Sequence, residues 1–218
     1  QAFFMSMPPS RSRDLCAVYV GQLFRKAHAT GIIKRNPYEQ VEMKKHEAKK
    51  RHALTPEEQA SFLAATSGSV HSLLFRFLLA TGLRIGEALA LTPSDIGVDT
   101  VTVNKDIVFI DGKAIVQPPK SKAALRTVPL PHDLCEELPK TGERLFPVSY
   151  NVVRVAMRKA SKKLGFEVSA HILRHTYATR LEEAGIPPKV KQYLMGHATL
   201  HMTEDVYTDA QSHYIESV

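Results

Sequence analysis

Cysteine is scarce in this 218-residue sequence: Cys16 and Cys135 stand far apart, and no Cys-x-x-Cys pair occurs. That excludes a cysteine zinc site and fits a reducing compartment, with two inert buried thiols as the expectation. No apolar run has the length needed to cross a bilayer, so no membrane partner is expected. No secretory signal opens the sequence, and its start at Gln1 suggests that something upstream has been removed. His-Glu-x-x-His is absent, as are repeats and low-complexity tracts. The 44% apolar content is enough to bury the core of one full domain plus a smaller piece.

The net charge is +7, and it is unevenly placed. Residues 1–52 carry eleven Lys/Arg against four Asp/Glu, while the remainder balances eighteen against eighteen. A basic first quarter suits a segment lying against a polyanion, because each phosphate neutralised releases counterions. A solvated lysine-rich linker has the same composition.

Leu15, Val18, Tyr19, Leu23 and Ala27 recur at three- and four-residue spacing, so an amphipathic helix is predicted from Asp14 to about Gly31. Asn36-Pro37 stops it. The stretch KKHEAKKR has almost nothing to bury and reads as a linker over 44–52. It separates a small helical piece, 1–43, from a larger domain, 53–218. That domain opens with a capping box, Thr55-Pro56-Glu57-Glu58. Helices are predicted at about 56–65, 70–80, 85–91, 149–164, 170–184, 188–195 and 199–208, several closed by glycine. Between Val98 and Leu130 the residues turn β-branched with partial alternation around Asp111-Gly112, a strong hairpin signal. The expected fold is mostly α with a small three-stranded antiparallel sheet, an α+β arrangement.

Several polar residues interrupt apolar helical stretches. Arg84 lies inside LLFRFLLATGLRIGEALAL, and a buried arginine there needs an anion or a carboxylate. Glu87, three residues on, can hold it. His171, Arg174 and His175 share one face of one helix. Two histidines at that spacing suit a metal, but an arginine between them repels a cation and favours an anion. Gly196-His197 closes a helix and Tyr207 follows ten residues later. A tyrosine alone is ordinarily a packing residue, yet a phenol becomes a nucleophile where a positive pocket stabilises its anion. Lys120 lies on a polar connection between strands. Two arginines, two histidines, a lysine and a tyrosine, with no acidic metal cluster, describe a phosphate site that needs no metal.

Over about residues 50–210 the sequence resembles the tyrosine recombinase (phage integrase) family, in texture closest to integrases of temperate phages and integrative conjugative elements. TGLRIGEALAL resembles its first arginine box and HILRHTYAT its His-x-x-Arg box. LMGHATLHMTEDVYTD resembles its Gly-His and tyrosine box, and PPKSKAALRTVPL the segment holding its lysine. The early helix followed by RNPYEQVEMKK resembles the end of the helical core-binding domain, so residues 1–43 are expected to be the C-terminal part of that DNA clamp.

The resemblance implies a site-specific recombinase, encoded by a bacterium or phage and acting on DNA in the cytoplasm without cofactor or metal. Tyr207 would form a 3′-phosphotyrosyl bond while Arg84 and Arg174 clamp the phosphate. Lys120 would be the general acid; Lys122 competes, but the six-residue spacing to Arg126 favours Lys120. His171 would act as general base, and His197 would hydrogen-bond the phosphate. Glu87 and His175 would be supporting residues, and Lys44, Lys45, Lys49, Lys50 and Arg51 would cross the DNA backbone. Paired double-stranded attachment sites and a homotetrameric synaptic complex are the implied partners, with a monomer or weak oligomer away from DNA. A type IB topoisomerase-like enzyme and a non-catalytic DNA-binding protein retaining the fold are the competing readings.

Overall fold

The computed structural model describes residues 2–43, 46, 52–119 and 124–196. The chain divides into two compact units, residues 1–50 and 51–218.

The first unit contains a short helix α1 (Ala2–Met5), the long helix α2 (Arg11–Ala29) and a 3-10 turn over Pro37–Gln40. Ser10 caps α2 by accepting from the Arg13 backbone N–H, so the helix begins three residues before Asp14. The face it buries is not the predicted one. Arg13, Ala17 and Gly21 are buried, whereas Leu15, Val18, Tyr19 and Leu23 are exposed. The reason is Tyr38, whose ring lies so close to Gly21 that a Cβ there would sit 2.7 Å from it. The aromatic packs on the small-residue face rather than the larger apolar one. Asn36 positions Tyr38 by accepting its backbone N–H at 3.0 Å.

The second unit opens with α3 (Pro56–Thr66), and its capping box forms in both directions, Glu58 N–H to Thr55 Oγ1 and Thr55 N–H to Glu58 Oε2. Next come α4 (Ser72–Thr81), α5 (Ile85–Ala90), β1 (Ile96–Gly97), β2 (Thr100–Val103), β3 (Asp106–Ile110) and β4 (Lys113–Gln117). They are followed by β5 (Arg126–Pro129), α6 (His132–Glu137), α7 (Tyr150–Leu164), α8 (Ala170–Glu183) and α9 (Pro188–Met195). Gly165 closes α7 and Gly196 closes α9, both left-handed; Gly185 follows α8 with φ +69°. The core is continuous: Phe62, Phe75, Phe77, Leu89, Val101, Val128, Ile172 and Leu173 are buried together.

The described strands pair antiparallel throughout, as expected, but they are distributed differently. A three-stranded sheet runs β1-β2-β5, with Val101 opposite Val128 and Val103 opposite Arg126. β3 and β4 form a separate hairpin through Asp111 and Gly112, both at positive φ. The division comes at Asn104-Lys105. Asp95 draws the Asn104 amide and the Lys105 ammonium to itself, at 3.2 and 2.7 Å, and so ends β2 before β3 begins. Helix α6 had no periodic signal long enough to predict. Cys16 is only half-buried, against the expectation for both thiols, while Cys135 is buried. Among the described residues no helix is long and apolar enough to cross a membrane.

Candidate active site

The site is assembled from four helix and strand ends. Helix α4 stops at Gly82, whose left-handed conformation (φ +61°) turns the chain into Leu83-Arg84. No other residue fits there, because a Cβ would collide with the ring of Tyr177 on α8. Arg84 then occupies the N-cap position of α5 and Glu87 its third residue. Glu87 caps that helix by accepting the Arg84 backbone N–H at 2.9 Å through Oε2, and takes the Arg84 guanidinium at 2.8 Å through Oε1. The predicted Arg84–Glu87 pair is therefore present, with a capping duty added to it.

Glu87 has a second cationic partner. Arg126, at the start of β5, donates Nη2 to Oε2 at 2.8 Å and Nη1 to Oε1 at 3.2 Å. Burial raises the Glu87 carboxyl, but hydrogen bonding and charge from Arg126, then the Arg84 backbone N–H and guanidinium, outweigh it and hold the group below its ordinary value. In the sequence Arg126 stands out only by its six-residue spacing from Lys120. The missed signal was parity: in the β5 strand, Arg126 shares the inward face with Val128.

Arg174 projects from α8, buried, and donates Nη1 to the Gly82 carbonyl at 2.6 Å and Nη2 to the Met195 carbonyl. Burial, with repulsion from Arg84 and Arg126 against the pull of Glu87, lowers its guanidinium to about 9, which leaves it cationic at neutral pH. The last carbonyls of α9 each accept from a different arginine: Leu194 from Arg126, Met195 from Arg174 and Gly196 from Arg84. A helix C-terminus leaves such carbonyls unpaired and carries negative dipole, so cations gather there. Gly196 must stay small, since a Cβ would lie 2.7 Å from Arg126 Nη1. Helix α9 is held on α8 by a buried ion pair, Lys191 Nζ to Glu182 Oε2 at 2.6 Å.

Of the predicted site residues, Arg84, Glu87 and Arg174 thus converge. His171 lies on the first turn of α8, exposed, one turn before Arg174. His175 is half-buried, and its Nδ1 is enclosed without a hydrogen-bond partner. Lys120, Lys122, His197, Tyr207 and Tyr214 lie outside the described residues, as do Lys44, Lys45, Lys49, Lys50 and Arg51. Among the described residues no cluster of His, Cys, Asp or Glu could hold a metal ion. Helix α7 adds a basic face that summing charge over long stretches concealed: Arg154, Arg158, Lys159, Lys162 and Lys163 are exposed and the helix contains no acid.

Two guanidinium groups paired with one buried carboxylate, and a third beside them on the Gly82 and Met195 carbonyls, form a site that suits an oxyanion. The chain is 32% identical over 178 residues to a tyrosine recombinase XerC-like protein of Caldanaerobacter subterraneus, covering 63% of this chain and 46% of that protein. It is 33% identical over 146 residues to the integrase of Haemophilus phage HP1, covering 67% and 39%. The chain thus spans about half the length, or less, of these curated relatives. The solved catalytic domain of HP1 integrase superposes with a TM-score of 0.57 at 27% identity, covering 77% of this chain and 94% of that one. The Tn1549 transposon integrase, solved with circular intermediate DNA, shares the fold at a TM-score of 0.78 and 21% identity, covering 97% and 81%. The phage integrase family model matches residues 52–213, a span that includes Arg84, Glu87, Arg126 and Arg174, and the chain belongs to that family.

Proposed function

We propose that the chain is the strand-transfer part of a site-specific DNA recombinase that works through a 3′-phosphotyrosyl intermediate. The observation that carries this is the arginine cluster: Arg84 and Arg126 pair with the one carboxylate of Glu87, Arg174 is held beside them by the Gly82 and Met195 carbonyls, and the Arg84 side chain is 40% exposed. The surplus charge suits a phosphate whose oxygens gain charge as a fifth ligand enters. Electrostatic stabilisation by guanidinium groups takes the place that a metal ion fills in other phosphoryl-transfer sites, so no metal is required.

In this reading the Tyr207 phenol oxygen attacks the scissile phosphorus and its proton passes to His171. The bond from phosphorus to the 5′-oxygen breaks, and Lys120 protonates the departing oxygen. Arg84, Arg174 and His197 hold the non-bridging oxygens; Glu87 and His175 support them. The phosphotyrosyl ester keeps the energy of the broken bond. A 5′-hydroxyl from a second strand attacks it, returns its proton, and releases Tyr207. Residues 1–43 serve as the end of a core-binding clamp and 44–52 as a linker, with residues 53–218 as the catalytic domain. Lys44, Lys45, Lys49, Lys50 and Arg51 contact the DNA backbone, aided by the basic face of α7. Exchange between two attachment sites needs four active sites, hence a homotetramer on DNA, in the cytoplasm where DNA is available.

The test is covalent capture. A pool of nicked duplexes with randomised core sequence loses a short strand on cleavage, which traps the adduct. The wild-type chain is expected to yield a DNA adduct resistant to denaturant and unaffected by chelator, and Tyr207→Phe none. An adduct with the Phe variant would place the nucleophile elsewhere. Relaxation of arbitrary supercoiled DNA by a monomer would point to a topoisomerase, and tight sequence-specific binding without adduct to a non-catalytic binder.

A further inference from the structure

We infer that Arg126 is a positioning residue of this site: it holds Glu87 from behind and so keeps that carboxylate from neutralising Arg84. The inference rests on the strand-transfer reading above. The Arg126 side chain is fully enclosed, 0% exposed, and its donors are placed on three stretches of chain. Nε reaches the Leu194 carbonyl at 2.8 Å, Nη1 the Ala124 carbonyl at 3.0 Å, and both Nη atoms reach Glu87. A purely structural buried arginine needs a carboxylate of its own. Here it shares the one that serves Arg84.

The sharing sets what Arg84 receives. Oε2 of Glu87 is occupied by Arg126 Nη2 and by the Arg84 backbone N–H, which leaves the Arg84 guanidinium only Oε1, through Nη1. Arg84 is thereby gripped at one edge, and its Nη2 is turned to the Gly196 carbonyl, a weaker partner than a carboxylate, at 3.2 Å. Without Arg126 the Glu87 carboxylate would be free to form the two-pronged pair with Arg84 that carboxylates and guanidinium groups prefer. That pair would cancel the charge that an incoming phosphate has to meet. Arg126 also fixes the end of α9, since the Gly196 backbone lies against its guanidinium.

The role predicts a dependence on the charge of the substrate. Arg126→Lys keeps a cation but can satisfy only part of this geometry. Single-turnover adduct formation is measured on the duplex captured by the wild-type chain. A second duplex carries a methylphosphonate at the scissile position, where a methyl group replaces one charged oxygen. The variant is expected to slow cleavage of the phosphodiester by about 30- to 100-fold, and of the methylphosphonate by less than about 5-fold, because the neutral group needs less cationic stabilisation. Non-covalent DNA affinity is expected to change by less than about 3-fold.

Equal slowing on both substrates, or a parallel collapse of DNA affinity and thermal stability, would overturn the positioning role and leave a structural one. Should Arg126→Lys fail to fold, Arg126→Gln, which keeps neutral donors near the Leu194 and Ala124 carbonyls but leaves the Glu87 carboxylate to Arg84 alone, is read in the same way. No adduct from the wild-type chain on either duplex would overturn the strand-transfer reading itself, and the inference with it.

Discussion

Glu87 is where the local chemistry of the site is most concentrated. It caps α5, holds Arg84 and neutralises a guanidinium with no access to water. Its carboxyl is held below the ordinary value of 4.5. An acid with a lowered folded pKa contributes stability that is complete above its unfolded pKa and is lost as pH falls through the folded one. Glu87→Gln should therefore flatten the decline of stability below about pH 4.5, and at neutral pH should cost about 3 kcal/mol by leaving Arg126 buried without its anion. Urea denaturation of both chains at pH 7 and across pH 5 to 3 measures both effects; an unchanged acid limb would mean that other carboxylates dominate it. Gly82 is constrained as tightly, by its left-handed turn, by the Tyr177 ring and by the carbonyl that receives Arg174. It is the second residue of TGLRIGE, which gives that glycine a physical reason.

Helix and strand positions show what could be read from the sequence and what could not. The Thr55–Glu58 box, the Asp111-Gly112 hairpin and the glycines after α7 and α9 are local, and each was legible because its chemistry lies within a few residues. The buried face of α2 was not legible, because Tyr38 selects it from outside the helix. The split between β2 and β3 depends on Asp95, which no strand pattern reveals. Arg84, Glu87 and Arg174 could be singled out as polar interruptions of apolar stretches, whereas Arg126 sits in a short strand and its partner lies 39 residues away. Helix α9 depends on another non-local pair, Lys191 with Glu182, whose side chains are 1% and 17% exposed. Glu182→Ala takes this carboxylate from an ammonium that is almost wholly enclosed, whereas Lys191→Met leaves a carboxylate that reaches water, so Glu182→Ala should cost more, by about 1 kcal/mol. Chemical denaturation ranks the two; the reverse order would mean that the ammonium gains little from this pair.

Over the whole molecule, charge and topology divide the labour. Positive charge is concentrated in residues 1–52 and on α7, while the arginines of the site are committed to Glu87 and to the carbonyls that close α9. The hairpin β3–β4 lies between β2 and β5, which pair with each other across residues 104–125. That insertion bears on the order in which the chain folds. A hairpin with a tight two-residue turn closes in microseconds, and the entropy of closing a longer loop rises with its length. Once β3 and β4 have met, the span separating β2 from β5 is effectively shortened, and Arg126 can be delivered to Glu87. Substitutions in the hairpin, such as Ile107→Val, should then slow folding, while changes at Val128 in β5 act mainly on unfolding. Stopped-flow folding and unfolding rates distinguish the two; the opposite assignment would mean that the long-range pairing forms first. In kinetic terms, the last strand to dock carries the arginine that readies the site.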